Sequence, residues 1–248
     1  MRNLKLTLEY DGTDFCGFAP QPGKRSVRQE IEKALFRLFK KPIKFFGASR
    51  TDAGVHALGQ VINFKIKHPI PPKNLKAALN ALLPEDIKVV RVEVVSDKFN
   101  ARFSAKSKEY EYLIFSGKDF PVLLRKLVWR VPFSLDLSAM RKAARYFKGK
   151  HDFSSFCAAK AREGSKVRII HKIAIIKAKR YGTGMLSVQI KGNGFLYRMV
   201  RNIVGTMVEV GAGRIKPDGV EEILKAKDRR KAGRCAPPQG LCLLRVNY

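Results

Sequence analysis

The chain has 248 residues, 45% of them hydrophobic, enough for one large domain or two small ones with a real core. Its 50 Lys and Arg against 21 Asp and Glu give a formal charge of +29, which argues against a balanced ion-pair surface and for a polyanionic partner, nucleic acid above all. No run of about 18 apolar residues is present, which excludes a membrane-spanning helix, and four cysteines without C-x-x-C spacing argue against a zinc or disulfide framework and suit a reducing cytoplasm.

The first residues run into an alternating pattern with no signal-peptide core, so no export signal is expected. Leu4, Leu6, Leu8 and Tyr10 alternate with Asn3, Lys5, Thr7 and Glu9, the pattern of a strand with one buried face. Asp11-Gly12-Thr13-Asp14 breaks it, and Phe15-Cys16-Gly17-Phe18-Ala19-Pro20-Gln21 follows as a loop. Ser26 and Gln29 make a capping box ahead of a helix with Val27, Ile31, Ala34, Leu35 and Leu38 on one stripe.

Two apolar runs, Ile43 to Phe46 and Val61 to Phe64, read as strands, with the loop Gly47-Ala48-Ser49-Arg50-Thr51-Asp52-Ala53-Gly54-Val55-His56-Ala57 between them. Its small residues let the backbone pass close to another object. Taken alone, a carboxylate in such a loop reads most often as a self-satisfied Asx-turn. A proline-rich connector at 68–72 precedes a short helix (Leu75, Ala78, Leu79, Leu82) that Pro84 stops. Val90, Val92 and Val94 then alternate with charged residues as a further strand. The first half thus reads β, α, β, β, α, β, the split βαβ order.

Ala101-Arg102-Phe103-Ser104-Ala105 leads to a strand on which Tyr110, Tyr112 and Ile114 share a face; aromatics in strands usually pack against the sheet, and Tyr112 is expected to be structural. Asp136 caps a helix carrying Leu137, Met140, Ala144 and Phe147, ended by Gly149, and His151-Asp152-Phe153-Ser154-Ser155-Phe156 forms a short loop. The stretch 158–168 holds Lys160, Arg162, Lys166 and Arg168, and reads either as a solvated loop or as a phosphate grip. Strands are expected at 171–179 and 185–191, joined by a hairpin turn over 180–184. Asn193 caps a helix in which Phe195, Met199, Ile203, Met207 and Val210 form a stripe that Leu196, Val200, Val204 and Val208 widen. Arg201 falls on the narrow remaining face; an arginine on a largely buried helix needs a partner, and Asp52 is the expected one.

The loop at 47–57 resembles the active-site motif of the tRNA pseudouridine synthase A family, Gly-Arg-Thr-Asp-x-Gly-Val-His, with Ser49 in place of the glycine before the arginine. Residues 15–21 resemble its Phe-x-Gly-Trp-Gln-x-Gln, with Phe18 for tryptophan and Ala19-Pro20 in place of the glutamine and its neighbour. Ala101–Ala105 followed by Tyr110-x-Tyr112, and Met199-Val200-Arg201-Asn202-Ile203-Val204-Gly205, resemble two further family motifs. The resemblance runs from Leu4 to Val246 and implies an α+β fold of two ferredoxin-like halves, whose antiparallel sheets join around a central active-site cleft. The expected domains are 1–105, carrying the Asp loop, and 106–248, carrying the tyrosine and the arginine helix.

The resemblance further implies isomerisation of uridine to pseudouridine at positions 38, 39 and 40 of the tRNA anticodon stem-loop, by a cytoplasmic homodimer with no cofactor, metal or nucleotide. Asp52 would be the catalytic carboxylate, and attack at C1′, addition to the pyrimidine and removal of a sugar proton are all open to it. Arg50 would replace the flipped base or bind its phosphate, Tyr110 would contact the base, and Arg201 would complete the substrate-binding set. Two other readings compete. A non-catalytic RNA-binding or RNA-chaperone protein explains the charge but not the carboxylate loop. A metal-dependent nuclease would need a second acidic residue near Asp52.

Overall fold

The computed structural model describes residues 1–158, 164–178 and 184–248. The expected turn residues 180–183, and Lys160 and Arg162 of the basic stretch, lie outside these. In chain order the strands and helices are β1 (Arg2–Tyr10), α1 (Val27–Phe39), β2 (Phe46–Gly47), β3 (His56–Ile66), α2 (Pro72–Leu82), β4 (Ile87–Val95) and β5 (Ser107–Ser116). There follow β6 (Trp129–Val131), α3 (Leu137–Phe147), β7 (Gly149–Asp152), β8 (Val167–Lys177), β9 (Met185–Gly192), α4 (Met199–Gly211), α5 (Gly219–Ala226) and β10 (Leu241–Asn247). Among the described residues no helix is long and apolar enough to cross a membrane. The chain forms two compact units, Met1–Lys106 with Cys242–Tyr248, and Ser107–Leu241.

In the first unit the antiparallel strands lie in the order β4-β1-β3, with β2 on the far edge of β3, as the split βαβ order requires. Leu4, Leu6 and Leu8 are fully buried, and each such side chain contributes about 1.5–3 kcal/mol. A one-residue slip would turn all three to the opposite face, so the alternation fixes the register. The capping box forms as expected: the Ser26 side chain accepts from the Gln29 amide, and the Gln29 side chain from the Ser26 amide. Phe39 of α1 meets Phe64 edge-on at 6.5 Å, and Asn80 of α2 brackets the Val89 backbone with bonds of 2.7 and 3.1 Å. The two helices therefore cover the leucine face.

Three strand expectations need correction. Of the run Ile43 to Phe46 only Phe46, with Gly47, forms a strand, because only these two pair with β3. β4 does not alternate regularly through Val90, because Thr7 pairs with Arg91 and Leu8 with Val89. Val90 is the extra residue of a bulge, so that Ile87 and Val89 before it and Val92 and Val94 after it share the leucine face, Val94 staying 52% exposed. The strand expected to begin near Val61 instead begins at His56, because two partners hold its start. Ala57 pairs with Tyr10 on one edge, and His56 and Ala57 pair in parallel with Cys242 and Leu243 of β10 on the other.

The second unit orders its strands β5-β9-β8-β7, with β6 parallel to the end of β5. Helix α4 is its centre: Met199, Val200, Ile203, Val204, Met207, Val208 and Val210 are all buried. The helix starts at Met199, later than Asn193 suggested. Asn193 is used elsewhere, accepting from the Ile169 amide at 2.9 Å and donating its own amide to the Ile169 carbonyl at 3.0 Å. Arg198 takes the N-cap place with a left-handed φ of 60°.

Candidate active site

The loop before β3 is held from three directions. Ser49 and Thr51 turn inward, at 8% and 6% exposure, while Arg50 between them is exposed and Asp52 is half-buried. Gln60, fully buried on β3, accepts the Ser49 amide at 3.2 Å and donates to the Ser49 carbonyl at 2.8 Å. The Thr51 hydroxyl shares a 2.8 Å hydrogen bond with the Tyr10 hydroxyl. One side of the loop is thereby tied to the sheet floor.

The segment 15–18 supplies the second hold. Gly17 bridges Asp52 in antiparallel fashion, the Phe18 amide donates to the Thr51 carbonyl at 3.1 Å, and the Gly54 amide to the Phe15 carbonyl at 3.3 Å. Gly17 has φ +110°, and a Cβ there would stand 2.6 Å from the Thr51 carbonyl oxygen, so the approach demands glycine. The Phe18 ring, where the family has tryptophan, lies against Gly47. The third hold is His56, whose Nδ1 accepts the Gly12 amide at 3.1 Å and lies 3.1 Å from an Asp11 carboxylate oxygen.

In the second unit, Tyr110 pairs with Ile190 of β9 and is 6% exposed, with Phe195 edge-on at 5.2 Å and 85°. Tyr112, expected to be structural, is fully buried and its hydroxyl donates to the Pro237 carbonyl at 2.6 Å. The Arg201 Nε donates to the Ala236 carbonyl at 2.8 Å, and the Ala236 amide returns a 3.1 Å bond to the Arg201 carbonyl. Arg201 therefore clasps the segment ahead of β10. Asn202 is a second hub, donating to the Phe156 carbonyl at 2.8 Å and accepting from Arg229 at 3.0 Å.

The hydrogen-bonding roles of Gln60, Tyr10 and Asn202 were not foreseen from the sequence. One signal was present: Gln60 interrupts an apolar strand, and a buried amide there must satisfy its polar groups with specific partners.

A basic α+β chain that holds a carboxylate on a loop braced from three sides fits the class of proteins that act on polyanions. Comparison with known proteins narrows that class. The family described as tRNA pseudouridine synthase matches residues 7–104 and 143–248. The chain is similar to tRNA pseudouridine synthase A of Thermoanaerobacter sp. (strain X514), 44% identical over 248 residues and 100% of both chains. It is similar too to tRNA pseudouridine synthase A of Bacillus licheniformis and of Bacillus subtilis (strain 168), each 46% identical over 247 residues, 99% of this chain and 98% of the relative. The chain belongs to the tRNA pseudouridine synthase family.

Proposed function

We propose that this isomerase acts on uridines 38, 39 and 40 of the tRNA anticodon stem-loop, with Asp52 as its catalytic carboxylate. The reaction breaks the C1′–N1 bond and forms C1′–C5; N1 gains a proton and C5 loses one, with no redox change. The observation that carries the reading is the bracing of Asp52. Gly17, Gln60 and His56 fix the loop, and a catalytic group held this way needs little reorganisation when a flipped base arrives. Arg50, exposed beside it, fits a role in holding the place of the flipped base or its phosphate. For Tyr110 we assign contact with the base through its hydroxyl, because the ring itself is largely covered. Arg201 is assigned to the same binding set, oriented by its bond to Ala236.

Asp52→Asn should fold and bind tRNA as the parent does while forming no pseudouridine, as read by mapping modified uridines in an unmodified tRNA. Turnover near the parent rate would remove Asp52 from the role. Tyr110→Phe keeps the ring against Phe195 and should bind normally but turn over poorly; parent-like turnover would assign Tyr110 to packing. The working form is a cytoplasmic homodimer on this reading, and sedimentation of the purified protein at a monomer's mass would contradict the dimer.

A further inference from the structure

A groove of about 570 Å³ lies within the first unit, on the side of β3 remote from its start. Asn63 and Lys65 stand on the sheet face opposite the leucines, paired with Lys5 and Asn3 across β1. Lys41, Lys44, Lys65, Lys67 and Lys98 line the groove, and Asp97 is its one acidic lining residue. All five lysines are exposed, and none is paired with a carboxylate among the described residues. Four lysines elsewhere, Lys5, Lys33, Lys191 and Lys225, each have an acidic partner within 3.2 Å. Phe46 also lines the groove and is 54% exposed, an aromatic ring left in water by the short pairing of β2 with β3.

The wall is built rather than loose. Asn63, 3% exposed, donates to the Asn3 side chain at 3.0 Å and to the Phe99 carbonyl at 3.2 Å, and accepts the Ala101 amide at 2.7 Å. Asn3 donates in turn to the Ser96 and Phe99 carbonyls at 2.8 and 2.9 Å. This buried amide pair fixes the segment that carries Lys98.

We propose that this groove is a second RNA contact, gripping the phosphate backbone of the tRNA outside the target loop, with Phe46 as a stacking platform. The proposal rests on the tRNA reading above. A cluster of unpaired ammonium groups around an exposed ring matches the chemistry of a nucleic-acid strand, whose phosphates take the charge and whose bases take the ring. β3 links the two regions. Its first residue follows the Asp52 loop, and at about 3.3 Å per residue the nine steps from His56 to Lys65 span roughly 30 Å. A tRNA is long enough to occupy both.

The test compares Lys44→Gln/Lys65→Gln/Lys98→Gln with a control of equal charge loss on helices, Lys73→Gln/Lys76→Gln/Lys142→Gln. For full-length tRNA, the groove variant should lose at least about tenfold in affinity, and its log K against log salt slope should fall by roughly 0.9 for each duplex phosphate contact removed. The helix control should keep both. Phe46→Ala should weaken tRNA binding by about tenfold, while Phe46→Tyr should not. On a minimal anticodon stem-loop the groove variant should turn over like the parent. Equal tRNA affinity in the two triple variants would overturn the proposal. So would an equal loss on the stem-loop, which would make the groove part of target-loop capture. Failure of the parent to form pseudouridine would sink the function instead, since binding is measured without turnover.

Discussion

A tyrosine hydroxyl sealed in a core keeps its proton well into the alkaline range, and Tyr112 is such a group. Burial pushes its pKa well above the ordinary value, while the Arg201 and Arg234 guanidiniums pull more weakly the other way. In the unfolded chain the phenol ionises near pH 10. The folded pKa is the higher one, so this contribution to stability is complete below about pH 10 and is lost as pH rises toward the folded value. Tyr112→Phe should therefore flatten the alkaline fall in melting temperature while costing about 1–3 kcal/mol at neutral pH, through the unsatisfied Pro237 carbonyl. An unchanged alkaline limb would show that Tyr112 is not responsible. Tyr248, also raised by burial and bonded to the Ala101 carbonyl at 2.9 Å, should account for part of the remaining slope. Sequence marked Tyr112 as structural, since aromatics in strands usually pack against the sheet and the motif singles out Tyr110 alone. It gave no sign of Pro237, because a carbonyl acceptor so far along the chain leaves no local pattern.

At the scale of elements, α4 shows how a motif is divided between packing and clasping. Met199, Val200, Ile203 and Val204 fill the core, Arg201 and Asn202 bind the segments around the helix, and Gly205 lets one of them touch it. A Cβ at 205 would lie 1.7 Å from the Arg234 carbonyl oxygen, which is backbone and has little room to yield. Gly205→Ala should cost about 1–3 kcal/mol or more and loosen 233–237, read by denaturant unfolding and amide exchange in that segment. A stability equal to the parent's would mean that the segment is freely displaced. The apolar width of this helix was legible, since 3.6-residue periodicity survives any context. Its start was not, because Asn193 satisfies a helix-capping rule and a strand-closing need equally well, and only the presence of Ile169 decides between them. The bulge at Val90 was hidden for a similar reason: an extra residue leaves the string of valines unchanged while shifting which of them face inward.

For the whole molecule, composition spoke for the partner and the motifs for the chemistry, and the alternating strands for the order β4-β1-β3. The groove beside Phe46 was invisible because its lysines are scattered through the sequence and meet only when β3 and the 96–101 segment are in place. The return of β10 to the first unit was equally hidden, since parallel pairing across a long interval has no short-range signature. That return has a consequence for vectorial synthesis. A nascent chain exposes the Asp52 loop early, but the strand that seals the start of β3 is translated long afterwards. Until then His56 and Ala57 present an open strand edge, the kind of edge that invites wrong pairing. Chains arrested on the ribosome before Leu241 should show proteolytic cleavage near His56 that disappears once Asn247 has emerged; equal protection in both would mean that the edge closes without β10. Translation itself thereby acts as a timer, and a prematurely terminated product carries the catalytic carboxylate on a strand that was never closed.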